Sequence, residues 1–216
     1  MSTRRLPVYL LLDTSGSMRG EPIASVNVGL RSMLTSLRQN PYALESVYLS
    51  IITFDSSVQQ VLPLTALPQL QLPEIVCPNS GATFLGEALE FVCDRLAQDV
   101  VKASSEQPGD WRPLLFIMTD GKPSDTLAYE EAIPRVQAAG FAAVIACAAG
   151  PKNVPDQLKE LTNQVVSLDT MDSASFASFF QWVSAAVVAG GQNDGQTSAG
   201  QAGTLPPPPP EINLVF

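Results

Sequence analysis

The chain contains no histidine. Its absence removes the side chain whose ordinary pKa lies nearest neutrality, and with it the Ser-His-Asp and Cys-His nucleophile systems and the commonest nitrogen ligand of zinc. Cysteine is scarce. Cys77, Cys93 and Cys147 form an odd set without C-x-x-C spacing, which excludes a disulfide scaffold. Reduced core thiols are expected for Cys93, on a helix stripe, and Cys147, in a strand, while Cys77 beside Pro78 belongs to a loop. Basic residues are few, 12 against 21 acidic ones, for a formal net charge of -9. Such a surface repels phosphate backbones, and no Lys/Arg cluster interrupts it, so nucleic acid is not an expected partner. Long apolar runs are also missing. The run from Leu6 to Leu12, behind Arg4 and Arg5, is short, contains Pro7 and ends at Asp13 without a small-residue cleavage site, so it reads as a strand rather than a secretory signal. Nothing else approaches the roughly 20 apolar residues of a membrane span. A cytoplasmic protein that does not engage a membrane is expected.

What is present is an alternation of strand and helix patterns within 216 residues, enough for one sizeable core and a tail. Apolar runs of strand length fall at Val8 to Leu12, Val47 to Phe54, Leu114 to Met118, Phe141 to Cys147 and, more weakly, Val165 to Leu168. Most are apolar on both faces, as central parallel strands require. Val58 to Leu62 follows the polar Asp55-Ser56-Ser57 and suits a hairpin with an antiparallel edge strand. Between these runs, Ile23, Val26, Leu30, Met33, Leu34 and Leu37 form one helical stripe, and Leu85, Leu89, Val92, Leu96 and Val100 another. A third helix is expected from Leu127 to Ala139, stopped by a left-handed cap at Gly140, with Pro134 predicting a kink or a later start. A last helix is expected from Ser173 to Val188, capped by Asp172 or Ser173 and burying Phe176, Phe179, Phe180 and Val183.

The pattern predicts an α/β fold: a three-layer, doubly wound, Rossmann-like domain over residues 1–188, with five parallel strands and one antiparallel edge strand in a six-stranded sheet. Residues 189–216 turn to Gly, Gln, Ser and Ala and then to five prolines from Pro206 to Pro210. This stretch reads as a flexible tail, a solvated linker with a stiff polyproline II spacer; the competing reading is a docking peptide ending in an apolar hook.

The chemistry concentrates in three loops. Asp13-Thr14-Ser15-Gly16-Ser17-Met18 follows the first strand, where open parallel sheets bind ligands. It offers a carboxylate and two hydroxyls on a tight turn, with Gly16 expected to let Ser15 and Ser17 face one point. Gly81-Ala82-Thr83-Phe84-Leu85-Gly86 precedes the second striped helix, and Thr119-Asp120-Gly121-Lys122-Pro123-Ser124-Asp125 follows the strand Leu114 to Met118.

These loops resemble the von Willebrand factor A family, whose metal-ion-dependent adhesion site joins an Asp-x-Ser-x-Ser loop to a distant Thr and a distant Asp. The resemblance covers about residues 6 to 188. It implies a vWA fold and a metal site of Asp13, Ser15, Ser17, Thr83 and Asp120. In that site the hydroxyls would bind as neutral oxygens, the two acids would bind directly or through water, and Mg2+ would sit at the centre, with Mn2+ or Ca2+ as substitutes. An open coordination position would then accept a Glu or Asp carboxylate from a partner protein. The same loops look similar to bacterial TerY-type proteins of tellurium-resistance and stress-response loci, an intracellular group. That likeness implies an adaptor whose partners include Ter proteins or an associated phosphatase and kinase.

Other readings compete less well. A haloacid-dehalogenase-type phosphohydrolase needs a second aspartate two residues after Asp13, where Ser15 stands, so an enzyme is not expected. The glycine spacing from Gly81 to Gly86 imitates a phosphate loop, but Glu87 replaces the required lysine. Lys122 reads as a solvated charge or a carboxylate-orienting group; Asp55 as a turn residue and Asp125 as a helix cap, each with a second role behind the metal ligands as the alternative. An assembly role, in which Glu211 of one copy engages the metal site of a neighbour, is the other functional class.

Overall fold

The computed structural model describes residues 4–79, 81–105, 107–150, 155–193, 206–210 and 212–215. At the centre is β1 (Leu6–Asp13), buried at all eight positions. It is apolar on both faces because each face meets a helical layer. Leu6, Val8, Leu10 and Leu12 enter one hydrophobic cluster, while Tyr9 and Leu11 enter the other. Parallel neighbours flank it: β2 (Val47–Phe54) on one side and β4 (Leu114–Thr119) on the other, continued by β5 (Ala143–Ala149) and β6 (Val165–Leu168). An antiparallel edge strand, β3 (Val58–Ala66), pairs with β2, as the hairpin signal predicts.

The other edge differs from expectation. Ile212–Val215 forms β7, antiparallel to β6, so the sheet has seven strands in the order β3-β2-β1-β4-β5-β6-β7 rather than six. Four residues after a proline run carry too little periodicity to announce a strand, and pairing with β6 supplies what local pattern does not. The stretch beyond residue 188 is thus structured at both ends of its described part. Glu211, the acid offered to a neighbouring copy, lies outside the described residues.

α1 (Glu21–Gln39), the short α2 (Pro41–Ser46) and α6 (Ser173–Asn193) cover one face; α3 (Leu85–Asp99), α4 (Thr126–Ala138) and the short α5 (Asp156–Leu161) cover the other. The two six-residue helices were not anticipated, since six residues are less than two turns of a hydrophobic stripe. Helix α4 starts at Thr126 and runs on through Pro134, so the later start does not occur, and Gly140 takes the left-handed conformation with φ 85°. Helix α6 continues five residues past Val188 and opens on Asp172, whose carboxylate accepts from Ser175 N at 2.9 Å. Burial raises the Cys93 thiol to about 11 and pushes buried Cys147 up as well, so both are inert core groups. Among the described residues no helix is long and apolar enough to cross a membrane.

Candidate metal centre

The C-terminal end of β1 delivers Asp13 into the crevice beyond the parallel strands, where only 1% of it is exposed. Its carboxylate is oriented from two sides: Ser15 N donates to Oδ1 at 2.8 Å, and Thr119 Oγ1, at the end of β4, donates to Oδ2 at 2.6 Å. Gly16, Ser17 and Met18 then form a 3-10 turn anchored by the fully buried Met18. The turn comes from this helical geometry and not from a left-handed glycine, because Gly16 has no positive φ. It folds Ser17 back over Ser15, with the two hydroxyl oxygens 3.3 Å apart, and Ser17 Oγ donates to Asp120 Oδ1 at 2.8 Å. Thr14 points the other way, toward β2, where its Oγ1 bonds Phe54 O at 3.2 Å and Asp55 Oδ2 at 3.3 Å.

Thr83 arrives on a long irregular segment between β3 and α3. That segment is held by side chains of α1 and the turn before it. Asn27 pairs both backbone groups of Ile75, each at 2.8 Å; Arg38 donates to Leu70 O at 2.6 Å, and Arg19 to Pro78 O at 2.6 Å. Thr83 itself is tied to the loop after β4: its N donates to Ser124 Oγ at 3.1 Å and its carbonyl accepts from Ser124 N at 2.8 Å. Its hydroxyl lies 3.7 Å from where a β-carbon on Gly121 would stand, next to Asp120. Asp13, Ser15, Ser17 and Asp120 are therefore joined in one hydrogen-bonded chain, with Thr83 held against the loop that carries Asp120.

Neighbouring acids take structural tasks. Asp55 Oδ1 accepts from Ser57 N at 3.0 Å and closes the turn between β2 and β3, as expected of a turn residue. Asp125 is a cap, but of the neighbouring helix: it accepts from Gly86 N at 3.2 Å and Glu87 N at 2.8 Å, the first donors of α3. Those donors are the ones a phosphate would need. Lys122 is exposed. Thr119 and Ser124 stand in the sequence only as members of the loop Thr119 to Asp125, where nothing local assigns either a role of its own.

The electrostatics of the cluster are unbalanced. Asp13, Asp55 and Asp120 are 1%, 5% and 7% exposed, and none of the described ion pairs involves them. Burial pushes the Asp13 carboxyl up to about 6; the hydrogen bonds from Thr119 and Ser15 oppose this, and the charge of Asp120 adds to it. Buried carboxylates without a basic partner are costly unless a cation approaches them. The donor set consists of three neutral hydroxyls and two acids, all hard oxygens, with no group of three His, Cys, Asp or Glu side chains among the described residues. These residues fit a small divalent cation that keeps part of its coordination open.

A doubly wound sheet with a cluster of oxygen donors carried by three loops defines a class of three-layer α/β domain. The model of the von Willebrand factor type A domain family matches residues 8–181, and this chain belongs to that family. Solved structures with the same fold include a von Willebrand factor type A protein from Catenulispora acidiphila, at 14% identity and TM-score 0.63, matched over 86% of this chain and 43% of that one. Proximal thread matrix protein 1 from the mussel byssus, with a zinc-occupied MIDAS motif, matches at 18% identity and TM-score 0.62, over 84% of this chain and 48% of the other. The pilus adhesin SpaC from Lactobacillus rhamnosus GG matches at 14% identity and TM-score 0.66, over 88% and 31%. This chain spans less than half the length of each of these three structures. By sequence alone it matches no curated relative.

Proposed function

We propose that this chain is a divalent-cation-dependent protein-binding module, an adaptor rather than an enzyme. Asp13, Ser15, Ser17, Thr83 and Asp120 form its donor set. The observation that carries the reading is the pair of buried acids, Asp13 and Asp120, with no described basic partner, linked through Ser15 and Ser17 and with Thr83 held against the loop that carries Asp120. A divalent cation bound there would supply an electrophilic position for a Glu or Asp carboxylate of a partner protein. Mg2+ suits a small hard-oxygen site, with Mn2+ or Ca2+ as substitutes. The zinc-occupied MIDAS motif of the byssal matrix protein and the adhesin identity of SpaC support this class of activity.

The narrower reading is an intracellular bacterial adaptor of the TerY type, cytoplasmic, acting in tellurium resistance or stress response with Ter proteins or an associated phosphatase and kinase. It is supported by the loop sequences Gly81 to Gly86 and Thr119 to Asp125. The absence of histidine and the serine at position 15 weigh against hydrolytic chemistry.

Calorimetric titration of Mg2+ and Mn2+ into chelator-treated protein, beside Asp13→Ala, tests the proposal. One saturable site lost in the variant supports it; no heat from either ion in the folded wild type overturns it.

A further inference from the structure

Beyond the metal cluster, the edge of β6 and the Trp182 side of α6 together hold an extended peptide. Trp182 donates from Nε1 to Pro206 O at 2.9 Å, and Pro206, Pro207 and Pro209 line a cavity of about 450 Å³ with Ser178, Gln181 and Ala185. Ile212 N then bonds back to Pro209 O at 2.9 Å, the chain turns, and Ile212–Val215 pairs with β6 in the register Leu168↔Ile212 to Val165↔Val215. Ile212 is 4% exposed within one core cluster, while Val215 packs against the other. Asn213 Nδ2 adds a bond to Asp169 Oδ1 at 3.1 Å. Proline docking on an aromatic-lined surface and strand addition to a sheet edge are two recurring modes of peptide capture, and this groove uses both in tandem.

We propose that this groove also accepts residues 206–210 and 212–215 of a second copy of the chain, so that two copies exchange their β7 strands. The idea does not depend on the metal reading. Its occupant is defined by the segment already seated there, since identical contacts form whether the segment belongs to the same chain or to a neighbour. The connection is residues 194–205, twelve residues with three glycines and no proline, which can span at most about 40 Å. Only the entropy of this connection distinguishes the two arrangements, and concentration shifts the balance toward exchange. A four-residue edge strand with one fully buried side chain is also an element that opens well before global unfolding. The family match stops at residue 181, one position before Trp182, so the groove's aromatic anchor and its occupant both lie beyond the shared domain.

Ser167 and Asn213 face each other across β6 and β7. Two full-length chains in a Cys77→Ser background, one with Ser167→Cys and one with Asn213→Cys and a size tag, can form this disulfide only between copies. They are co-expressed, purified together, incubated at rising concentration and oxidised. The expected result is a tagged heterodimer on a non-reducing gel that increases with concentration and falls at least tenfold when Ile212→Asp is added to the second chain. Absence of the heterodimer at every concentration overturns the proposal. Its persistence with Ile212→Asp does so too, because the copies would then meet elsewhere.

Discussion

At the scale of single residues, the balance around Asp13 separates binding from folding. Its carboxylate is raised by burial and by Asp120, so in the metal-free protein its charge opposes folding. Asp13→Asn removes that charge and keeps one acceptor, for Ser15 N, while its amide NH2 meets the Thr119 hydroxyl as a donor, reversing that hydrogen bond. Its metal-free melting temperature, measured by circular dichroism at pH 7, is expected to equal or exceed that of the wild type while the calorimetric metal signal disappears. A variant that melts well below wild type would make the carboxylate structural. Thr119 touches no proposed partner but orients Asp13 through a 2.6 Å bond. Groups behind a metal ligand typically carry about 10–100-fold in affinity, and Thr119→Val is expected to weaken metal binding within that range with little change in the number of sites. Full retention of affinity would show that Ser15 N alone orients the carboxylate.

At the scale of elements, α3 and α4 meet at Gly86. A β-carbon there would lie 2.3 Å from Tyr129 N, against backbone that cannot step aside. The same junction carries Asp125 onto the first donors of α3 and Ser124 onto Thr83, so helix packing sets the position of a proposed ligand. Gly86→Ala is expected to destabilise the fold by about 1–3 kcal/mol through overpacking. It should also weaken metal binding, because Thr83 and Asp120 would separate. Chemical denaturation and metal titration on one sample check both effects, and unchanged affinity in a destabilised variant would uncouple the helix junction from the site.

At the scale of the molecule, β7 closes a sheet edge that would otherwise present the backbone of β6 and leave Trp182 and its surroundings without Pro206. Truncation after Asn193 removes Ile212 from the core, a burial worth about 1.5–3 kcal/mol for a side chain of this size, and exposes an unpaired edge. The truncated chain is expected to have a lower denaturation midpoint and to scatter more light at high concentration. A midpoint equal to that of the full chain would show that β7 adds no stability.

How much was legible from sequence follows from which interactions are local. The alternation of doubly apolar runs with 3.6-period stripes placed five parallel strands and four long helices, since those patterns record burial residue by residue. The Asp13, Ser15 and Ser17 loop was legible because its members lie within five positions, and Asp120 because it follows the end of a buried parallel strand; Thr83, on the irregular segment between β3 and α3, was marked only by the resemblance to the von Willebrand factor A family. Other features were decided only by tertiary contact. Thr119 orients Asp13 across 106 positions, and Asn27 pins Ile75 across 48; neither pairing leaves a trace in local composition. Asp125 caps a helix other than its own because α3 and α4 pack closely at Gly86. Ile212–Val215 becomes a strand because β6 offers an edge and Trp182 holds the prolines before it. Periodicity reports which side of an element is buried, while the identity of what covers that side depends on how distant segments meet in space.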